Sequence, residues 1–168
     1  MSTLQTERLT LRPHVMADFE DYAALFASER SRYMGGPLTR AAAWHAFSSD
    51  VAQAPLGLGQ AWAILRTKDD AHTGQVVLQH PPSYPEQELG WQLYDGFEGK
   101  GYAREAAQAA RDFAFGSLGW DTFVSYVDPD NAASIKVAEA IGGVLDPAAP
   151  APDEGDLVFR HTRPEGSA

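Results

Sequence analysis

The sequence contains no cysteine, so the chain has no disulfide bond, no thiol nucleophile and no thiolate ligand for a metal. Basic residues are also few: 13 lysines and arginines stand against 23 acidic residues, and the formal net charge is -10. General binding to nucleic acid or to anionic membranes needs a basic face, so this balance argues against both. Long apolar runs are missing, and residues 1–7 lack the pattern of a signal peptide. These absences predict a cytoplasmic protein that binds neither nucleic acid nor membrane.

Histidine is the other common metal ligand, and its spacing in this sequence does not match that of metal sites. We therefore interpret the histidines as surface or loop residues and predict that no metal is bound. They are His14, His45, His72, His80 and His161.

What is present is the composition of an ordinary globular protein, with 44% hydrophobic and 21% charged residues. A chain of 168 residues can bury a sizeable core, and no internal repeat divides it. We therefore predict one domain over residues 1–168.

The spacing of the apolar residues predicts an α/β (α+β-like) fold with a mixed sheet. Alternating or short apolar runs predict strands at residues 7–12, 61–65, 74–78, 88–94, 122–127 and 157–160. Helical spacing predicts helices that begin at caps on Asp18, Thr39 and Asn131, and a further helix over residues 102–115. That further helix joins two strands, so these strands are expected to be parallel and linked by a right-handed crossover.

The loop before residue 102 is the most informative stretch. Gly99 and Gly101 let the backbone approach a ligand closely, and the first amides of the following helix have no partner within it. The helix dipole favours an anion there, and Lys100 and Arg104 add positive charge. The loop is either a phosphate-binding loop or a tight turn that uses glycine only for its backbone conformational freedom. It matches neither the dinucleotide fingerprint nor the Walker loop, so another phosphate-bearing ligand is expected.

The strand over residues 88–94 is expected to present two different faces. One face carries Leu89, Trp91 and Leu93, and the other carries Glu88, Gly90, Gln92 and Tyr94. Glycine inside a strand marks a bulge or the close approach of a ligand, and Gly90 is open to both interpretations.

Three runs together resemble the GNAT superfamily of acetyl-CoA-dependent N-acetyltransferases: residues 88–91 (ELGW), 99–103 (GKGYA) and 128–135 (DPDNAASI). Within this superfamily, the chain is similar to the branch that contains the ribosomal-protein N-terminal acetyltransferases. The opening run at residues 6–13 (TERLTLRP) is also similar to that branch. The resemblance covers nearly the whole chain in the right order. It implies a GNAT-type sheet, mostly antiparallel, flanked by helices and splayed between two parallel central strands.

The resemblance also implies how acetyl-CoA is bound. The backbone amides of the loop and of the first helical turn would hold the pyrophosphate, and the backbone at Leu93 and Tyr94 would pair with the pantetheine arm. Asn131 either binds that arm or acts only as a helix N-cap. Glu98 stands where the family has another residue type, and we expect its carboxylate to point to solvent. The pyrophosphate residues are Gly99, Lys100, Gly101, Tyr102, Ala103 and Arg104.

Proton transfer is the part of the chemistry for which the family pattern is incomplete. Many relatives place a tyrosine near the position of Ala138, where this sequence has none, so Ser134, Tyr126 or water would supply a proton. Glu88 is the best-placed carboxylate for a general base, and its alternative role is a strand-end charge in solvent. Deprotonating an α-amino group at pH 7 costs roughly 1.4 kcal/mol and a lysine more than roughly 4 kcal/mol, so a lysine acceptor would need a true base.

These features together predict an N-acetyltransferase that moves an acetyl group directly to a primary amine. The acceptor would be a small molecule or a protein N-terminus, and the chain would be a monomer or a homodimer. The alternative is a non-catalytic acyl-CoA-binding sensor module that keeps the phosphate-binding loop and has lost the chemistry.

Overall fold

The fold is described from a computed structural model that covers residues 2–164. Its strands are β1 (Leu4–Gln5), β2 (Leu9–Arg12), β3 (Gln60–Arg66), β4 (Ala71–Gln79), β5 (Glu88–Leu93), β6 (Thr122–Val127), β7 (Val144–Leu145) and β8 (Leu157–Thr162). Its α-helices are α1 (Phe19–Phe26), α2 (Arg40–Ala52), α3 (Tyr102–Gly116) and α4 (Ala132–Ala140). Short 3₁₀ helices cover Met16–Asp18 and Glu29–Met34.

One eight-stranded sheet runs through these residues in the order β1-β2-β3-β4-β5-β6-β8-β7. Its neighbouring strands are antiparallel except β5 and β6, which are parallel and share one residue pair, Glu88 with Val124. Beyond this pair the two strands diverge. The predicted fold class is therefore confirmed, including the mixed sheet and the division at its centre.

The face of the sheet under α3 holds the main core. Four alanines of this helix are fully buried, and such small side chains let it lie close to the strands. The predicted inward face of β5 is confirmed, because Leu89 is buried in this core and the partly buried Trp91 and Leu93 pack against it. The buried alanines are Ala106, Ala107, Ala110 and Ala114.

Helices α1 and α2 pack against each other through a separate aromatic cluster on the opposite side of the sheet. The side chains of β4 and β5 that point away from α3 are mostly polar, since strand residues alternate between faces. They include Gln75 and Gln79 on β4 and Glu88 and Gln92 on β5. These residues line a cavity on that side of the sheet.

The predictions for three residues, Asp18, His72 and His161, are wrong. Asp18 does not cap α1, because its carboxylate accepts two hydrogen bonds from the Arg12 guanidinium, at 2.7 and 2.8 Å, and one from the Val15 N–H. His72 and His161 are not surface or loop residues, since both lie in strands. The His161 ring is 1% exposed and stacks on Phe123, because the alternation of β8 turns it inward.

Candidate active site

A cavity of about 650 Å³ opens on the polar face of the sheet, where β5 and β6 diverge. It brings together Glu88 from β5, Ser134 from α4 and Asn131 just before α4, which the sequence analysis singled out. Gly90 also lines it, and the pairing of β4 with β5 has no register shift, so this glycine marks no bulge. The remaining interpretation of Gly90, close approach of a ligand, stays open.

Glu88 is 7% exposed, so its alternative role as a charge in solvent is wrong. One carboxylate oxygen accepts a hydrogen bond of 2.5 Å from the Gln79 side chain. Burial is the main cause that raises the pKa of Glu88 to about 7, and the nearby Asp50 and Asp156 raise it further. A carboxylate with this pKa can take up a proton near neutral pH.

The gap between β5 and β6 exposes part of the backbone of β5. The Tyr94 N–H donates to Thr73 at 2.9 Å, so this amide is already used by β4. Because an antiparallel ladder alternates, the N–H and C=O groups of Trp91 and Leu93 then point the other way, towards β6. The Leu93 carbonyl accepts a hydrogen bond of 3.1 Å from Arg30. The strand therefore offers polar backbone groups to a ligand at Trp91 and Leu93 rather than at Tyr94.

The glycine loop leads from β5 into α3. Gly99 and Gly101 have φ values of +72° and +79°, a region that favours glycine, and a Cβ at Gly99 would meet nothing within 4 Å. Gly101 is the N-cap residue of α3, and no side chain caps this helix. The first-turn amides of Tyr102, Ala103 and Arg104 therefore lack a capping partner. This arrangement fits a phosphate group.

The charged residues around this loop differ in their positions. The Lys100 ammonium folds back onto the Gly96 carbonyl, at 2.5 Å, while Arg104 is exposed. Arg8 reaches the loop from the segment before β2 and donates to the Lys100 carbonyl at 2.9 Å. Its guanidinium also forms an ion pair with Glu105. Sequence spacing gave no sign of Arg8, because it lies more than ninety residues away in the chain.

Glu98 is exposed, as predicted, but it is not free of partners. Its carboxylate forms an ion pair with Arg30, which belongs to the 3₁₀ helix Glu29–Met34. The same guanidinium donates to the Leu93 carbonyl, so it joins the end of β5 to the loop. Arg30 therefore supplies a positive charge beside the one acidic residue that departs from the family pattern.

Asn131 and Ser134 lie together at the start of α4. The Asn131 side-chain oxygen accepts a hydrogen bond of 3.2 Å from the Ser134 N–H, so the prediction of an N-cap is confirmed. Capping uses only the oxygen of this side chain, and its amide nitrogen can still donate to a ligand. The Ser134 side chain lines the same cavity.

Tyr126 also lines the cavity, and its hydroxyl is buried with no hydrogen-bond partner among residues 2–164. Burial raises the pKa of Tyr126, so the hydroxyl keeps its proton at neutral pH. Its ring lies against Tyr84, with centroids 5.7 Å apart. Tyr126 can therefore donate a proton or a hydrogen bond into the cavity, whereas Ala138 is fully buried in the core.

Asp50 is a cavity residue that was not predicted from the sequence. Its carboxylate accepts hydrogen bonds from the Gln75 side chain at 2.7 Å and from the Tyr22 hydroxyl at 3.2 Å. Burial is the main cause that raises its pKa to about 6. A signal was present in the sequence, because Asp50 follows Ala43 and Phe47 on the inward stripe of α2, where an apolar residue is expected.

A second group of polar residues lies outside this cavity. Ligand atoms of His14, Asp18 and His72 lie within 4.8 Å of one another, a spacing that could hold a metal ion. The Asp18 carboxylate is already paired with Arg12, and this cation opposes a second one. The absence of a metal therefore stays a prediction. Among residues 2–164, no helix is long and apolar enough to cross a membrane.

Comparison with known proteins agrees with this geometry. A family model described as an acetyltransferase (GNAT) domain matches residues 8–144. The crystal structure of an acetyltransferase from Agrobacterium tumefaciens is 48% identical, with a TM-score of 0.94 over 97% of this chain and 95% of that one. The Bacillus subtilis protein YkkB is 35% identical over 80 residues, which span 44% of this chain and about half, 46%, of YkkB.

A more distant neighbour, the ribosomal-protein acetyltransferase RimL, was solved in complex with coenzyme A. It is 16% identical, with a TM-score of 0.76 over 96% of this chain and 98% of its own. This likeness shows a shared fold.

Proposed function

The chain belongs to the acetyltransferase (GNAT) domain family, and from this premise we propose that it moves the acetyl group of acetyl-CoA to a primary amine by direct attack. Members of this family use acetyl-CoA as the acetyl donor. The acceptor is a small-molecule amine or a protein N-terminus. The reaction takes place in the cavity where β5 and β6 diverge, and all of it lies within one domain over residues 1–168.

The cofactor residues in this proposal fall into two groups. The backbone amides from Gly99 to Arg104 hold the pyrophosphate. The last three of them belong to the first turn of α3, which no side chain caps. The backbone of Trp91 and Leu93 and the side-chain amide of Asn131 hold the pantetheine arm. This assignment differs from the sequence-based one at Tyr94, whose N–H already donates to β4.

The observation that carries the proposal is the buried Glu88 carboxylate, with its pKa raised to about 7, in the cavity beside the gap. An ammonium group must lose a proton before its nitrogen can attack the thioester carbon. Glu88 takes this proton, directly or through a water, and the neutral amine then attacks. As the C–N bond forms and the C–S bond breaks, the attacking nitrogen loses a second proton to solvent. The leaving sulfur takes a proton from Tyr126, Ser134 or water.

Replacing Glu88 by glutamine tests this role, because Glu88→Gln keeps the size of the side chain and removes the base. The release of free thiol from acetyl-CoA is measured with a panel of amines as a function of pH. Above its pKa of about 7 the carboxylate is ionised, so the wild-type rate rises through this pH. We expect a severalfold loss of turnover in the variant at pH 7 that shrinks as pH nears the pKa of the amine.

The matched control is Glu154→Gln, which changes an exposed carboxylate at the rim of the same cavity. This control should keep the wild-type pH profile. A Glu88→Gln profile that overlays the wild type would remove Glu88 from the mechanism. Tight binding of acetyl-CoA with no thiol release for any amine would instead favour the alternative, a non-catalytic acyl-CoA-binding module.

A further inference from the structure

The cavity contains a second carboxylate, Asp50, that transfer to a simple amine does not use. It lies on α2, whereas Glu88 lies on β5. Two neutral groups donate to it, the Gln75 side chain and the Tyr22 hydroxyl. Both of these bonds go to one oxygen of the carboxylate, so the other oxygen is available to a ligand.

Both cavity carboxylates lack a countercharge. Within residues 2–164, neither Asp50 nor Glu88 forms an ion pair with a lysine, arginine or histidine. The electrostatic interaction with His14 lowers the pKa of Asp50, but these two side chains form no ion pair. Glu88 is buried and Asp50 is partly buried, and a carboxylate removed from water is costly unless a cation compensates it. At neutral pH Asp50 is mostly ionised, so a positive charge from a ligand would complete its environment.

A second observation beside Asp50 also points to a ligand. Gln75 is 1% exposed and lines the cavity, and its side-chain oxygen has no partner among the described residues. A buried oxygen of this kind is an acceptor that lacks a donor. Asp50 and Gln75 together therefore offer only acceptors, and an ammonium group supplies both positive charge and N–H donors.

The strand β4 carries the hydrogen-bond partners of both carboxylates, and the backbone spacing of these partners can be read from the strand. Gln75 binds Asp50 and Gln79 binds Glu88, and these glutamines are four residues apart on the same face of the strand. Four residues of a strand span on the order of 13 Å. Val77 lies between the glutamines on that face and lines the cavity, so the path from one carboxylate to the other passes an apolar side chain.

We propose that the acceptor is an unbranched α,ω-diamine or a polyamine, with its reacting amine at Glu88 and its distal ammonium bound by Asp50 and Gln75. The methylene chain between the two nitrogens lies against Val77. Asp50 is thus a specificity-determining residue, and it takes no part in proton transfer. This inference rests on the proposed function, since it names the acceptor of the same site.

Calorimetry on the coenzyme A-loaded protein tests this assignment without relying on turnover. The probes are unbranched diamines from diaminobutane to diaminodecane, each compared with the monoamine of the same chain length. We expect the best diamine to bind at least roughly tenfold more tightly than its monoamine at neutral pH, because hydrogen bonds to a charged group are strong. Affinity should also pass through an optimum with chain length.

The decisive variant is Asp50→Asn, which keeps the size of the side chain and removes its charge. It should lose the preference for diamines, raise KM for them with little change in kcat, and leave the weaker affinity for monoamines unchanged. The control Asp153→Asn alters an exposed carboxylate at the rim of the cavity and should retain the preference. Thermal unfolding of each variant verifies that it is folded.

The outcomes separate this inference from the proposed function. Equal affinity for diamines and monoamines, or an equal loss of both in Asp50→Asn, would overturn the inference. If monoamines or peptide N-termini were acetylated in that case, the proposed function would stand. Binding of diamines that depends on Asp50, without thiol release, would support the ammonium site at Asp50 but would overturn the diamine as acceptor and reject acetyl transfer.

Discussion

Asn131 has two polar atoms on one side chain, and their roles can be separated. The oxygen caps α4 through the Ser134 N–H, while the nitrogen is assigned here to the pantetheine arm. Asn131→Asp keeps an oxygen for the cap and loses the N–H donor. We expect it to retain the thermal stability of the wild type and to bind coenzyme A more weakly in calorimetry.

Thr39 provides a matched control for this prediction. Its side chain caps α2 with a hydrogen bond of 3.2 Å, the same length as the cap at Asn131. Thr39→Ala should cost about 1 kcal/mol of stability and leave coenzyme A affinity unchanged. If Asn131→Asp bound coenzyme A normally, Asn131 would be only a helix cap.

Individual site residues could be predicted from the sequence when their role depends on neighbours along the chain. Glu88, Asn131 and the glycines of the loop follow from strand alternation, capping and turn chemistry within a few residues. Arg30 and Asp50 could not be assigned in this way, because each meets its partner across the fold. An ion pair between residues 30 and 98 leaves no periodic pattern in a single sequence.

At the scale of an element, the start of α3 is the feature that the cofactor assignment depends on. Gly101→Asp places a carboxylate where the phosphate is expected, so we predict loss of coenzyme A binding in calorimetry while the protein remains folded. The substitution also forces a non-glycine residue into a left-handed conformation, at a cost of roughly 1–2 kcal/mol.

Gly119 separates this backbone strain from the change in charge. It has a φ of +71°, close to the +79° of Gly101. A Cβ at Gly119 would meet nothing within 4 Å, and one at Gly101 would meet only the Arg8 guanidinium at 3.4 Å. Gly119→Asp therefore introduces the same residue and a similar strain in the turn after α3. It should destabilise the protein to a similar degree and bind coenzyme A normally. Unchanged affinity in a folded Gly101→Asp protein would mean that the loop is only a tight turn.

Elements were easier to predict than their exact contacts. The helix at α3 and the strands on each side of it follow from apolar spacing, and the parallel pair follows from the crossover. His72 and His161 were misjudged, because a polar ring on an inward strand position looks the same in sequence as one on the surface. His161 is buried by Phe123 and by the strands around it, which local pattern does not reveal.

Across the whole molecule, the cavity makes stability depend on pH in an unusual direction. Burial raises the folded-state pKa of Glu88 to about 7 and of Asp50 to about 6, above the values of an unfolded chain. The folded state therefore binds more protons than the unfolded state between about pH 4 and 7, and these groups add stability as pH falls. His161 acts oppositely, since burial lowers its pKa to about 4.

We predict that Glu88→Gln is more stable than the wild type at pH 8 by roughly 3–4 kcal/mol, and that this difference vanishes near pH 4. Titratable groups that interact electrostatically with Glu88 should alter the size of this stability difference and leave its sign unchanged. These groups are Asp50, Asp156, Tyr84 and Tyr126. Chemical denaturation at several pH values measures it. A variant that is less stable at every pH would show that the ionised carboxylate supports the fold.

The single residue pair between β5 and β6 has a consequence for hydrogen exchange. The amides of Trp91 and Leu93 lie near the middle of an eight-stranded sheet, yet they face a gap rather than a neighbouring strand. Without ligand they should exchange with deuterated solvent as fast as amides on an outer strand. When the pantetheine arm fills the gap, the same amides should become protected from exchange. Hydrogen exchange at these two amides would then report cofactor binding at the centre of the sheet.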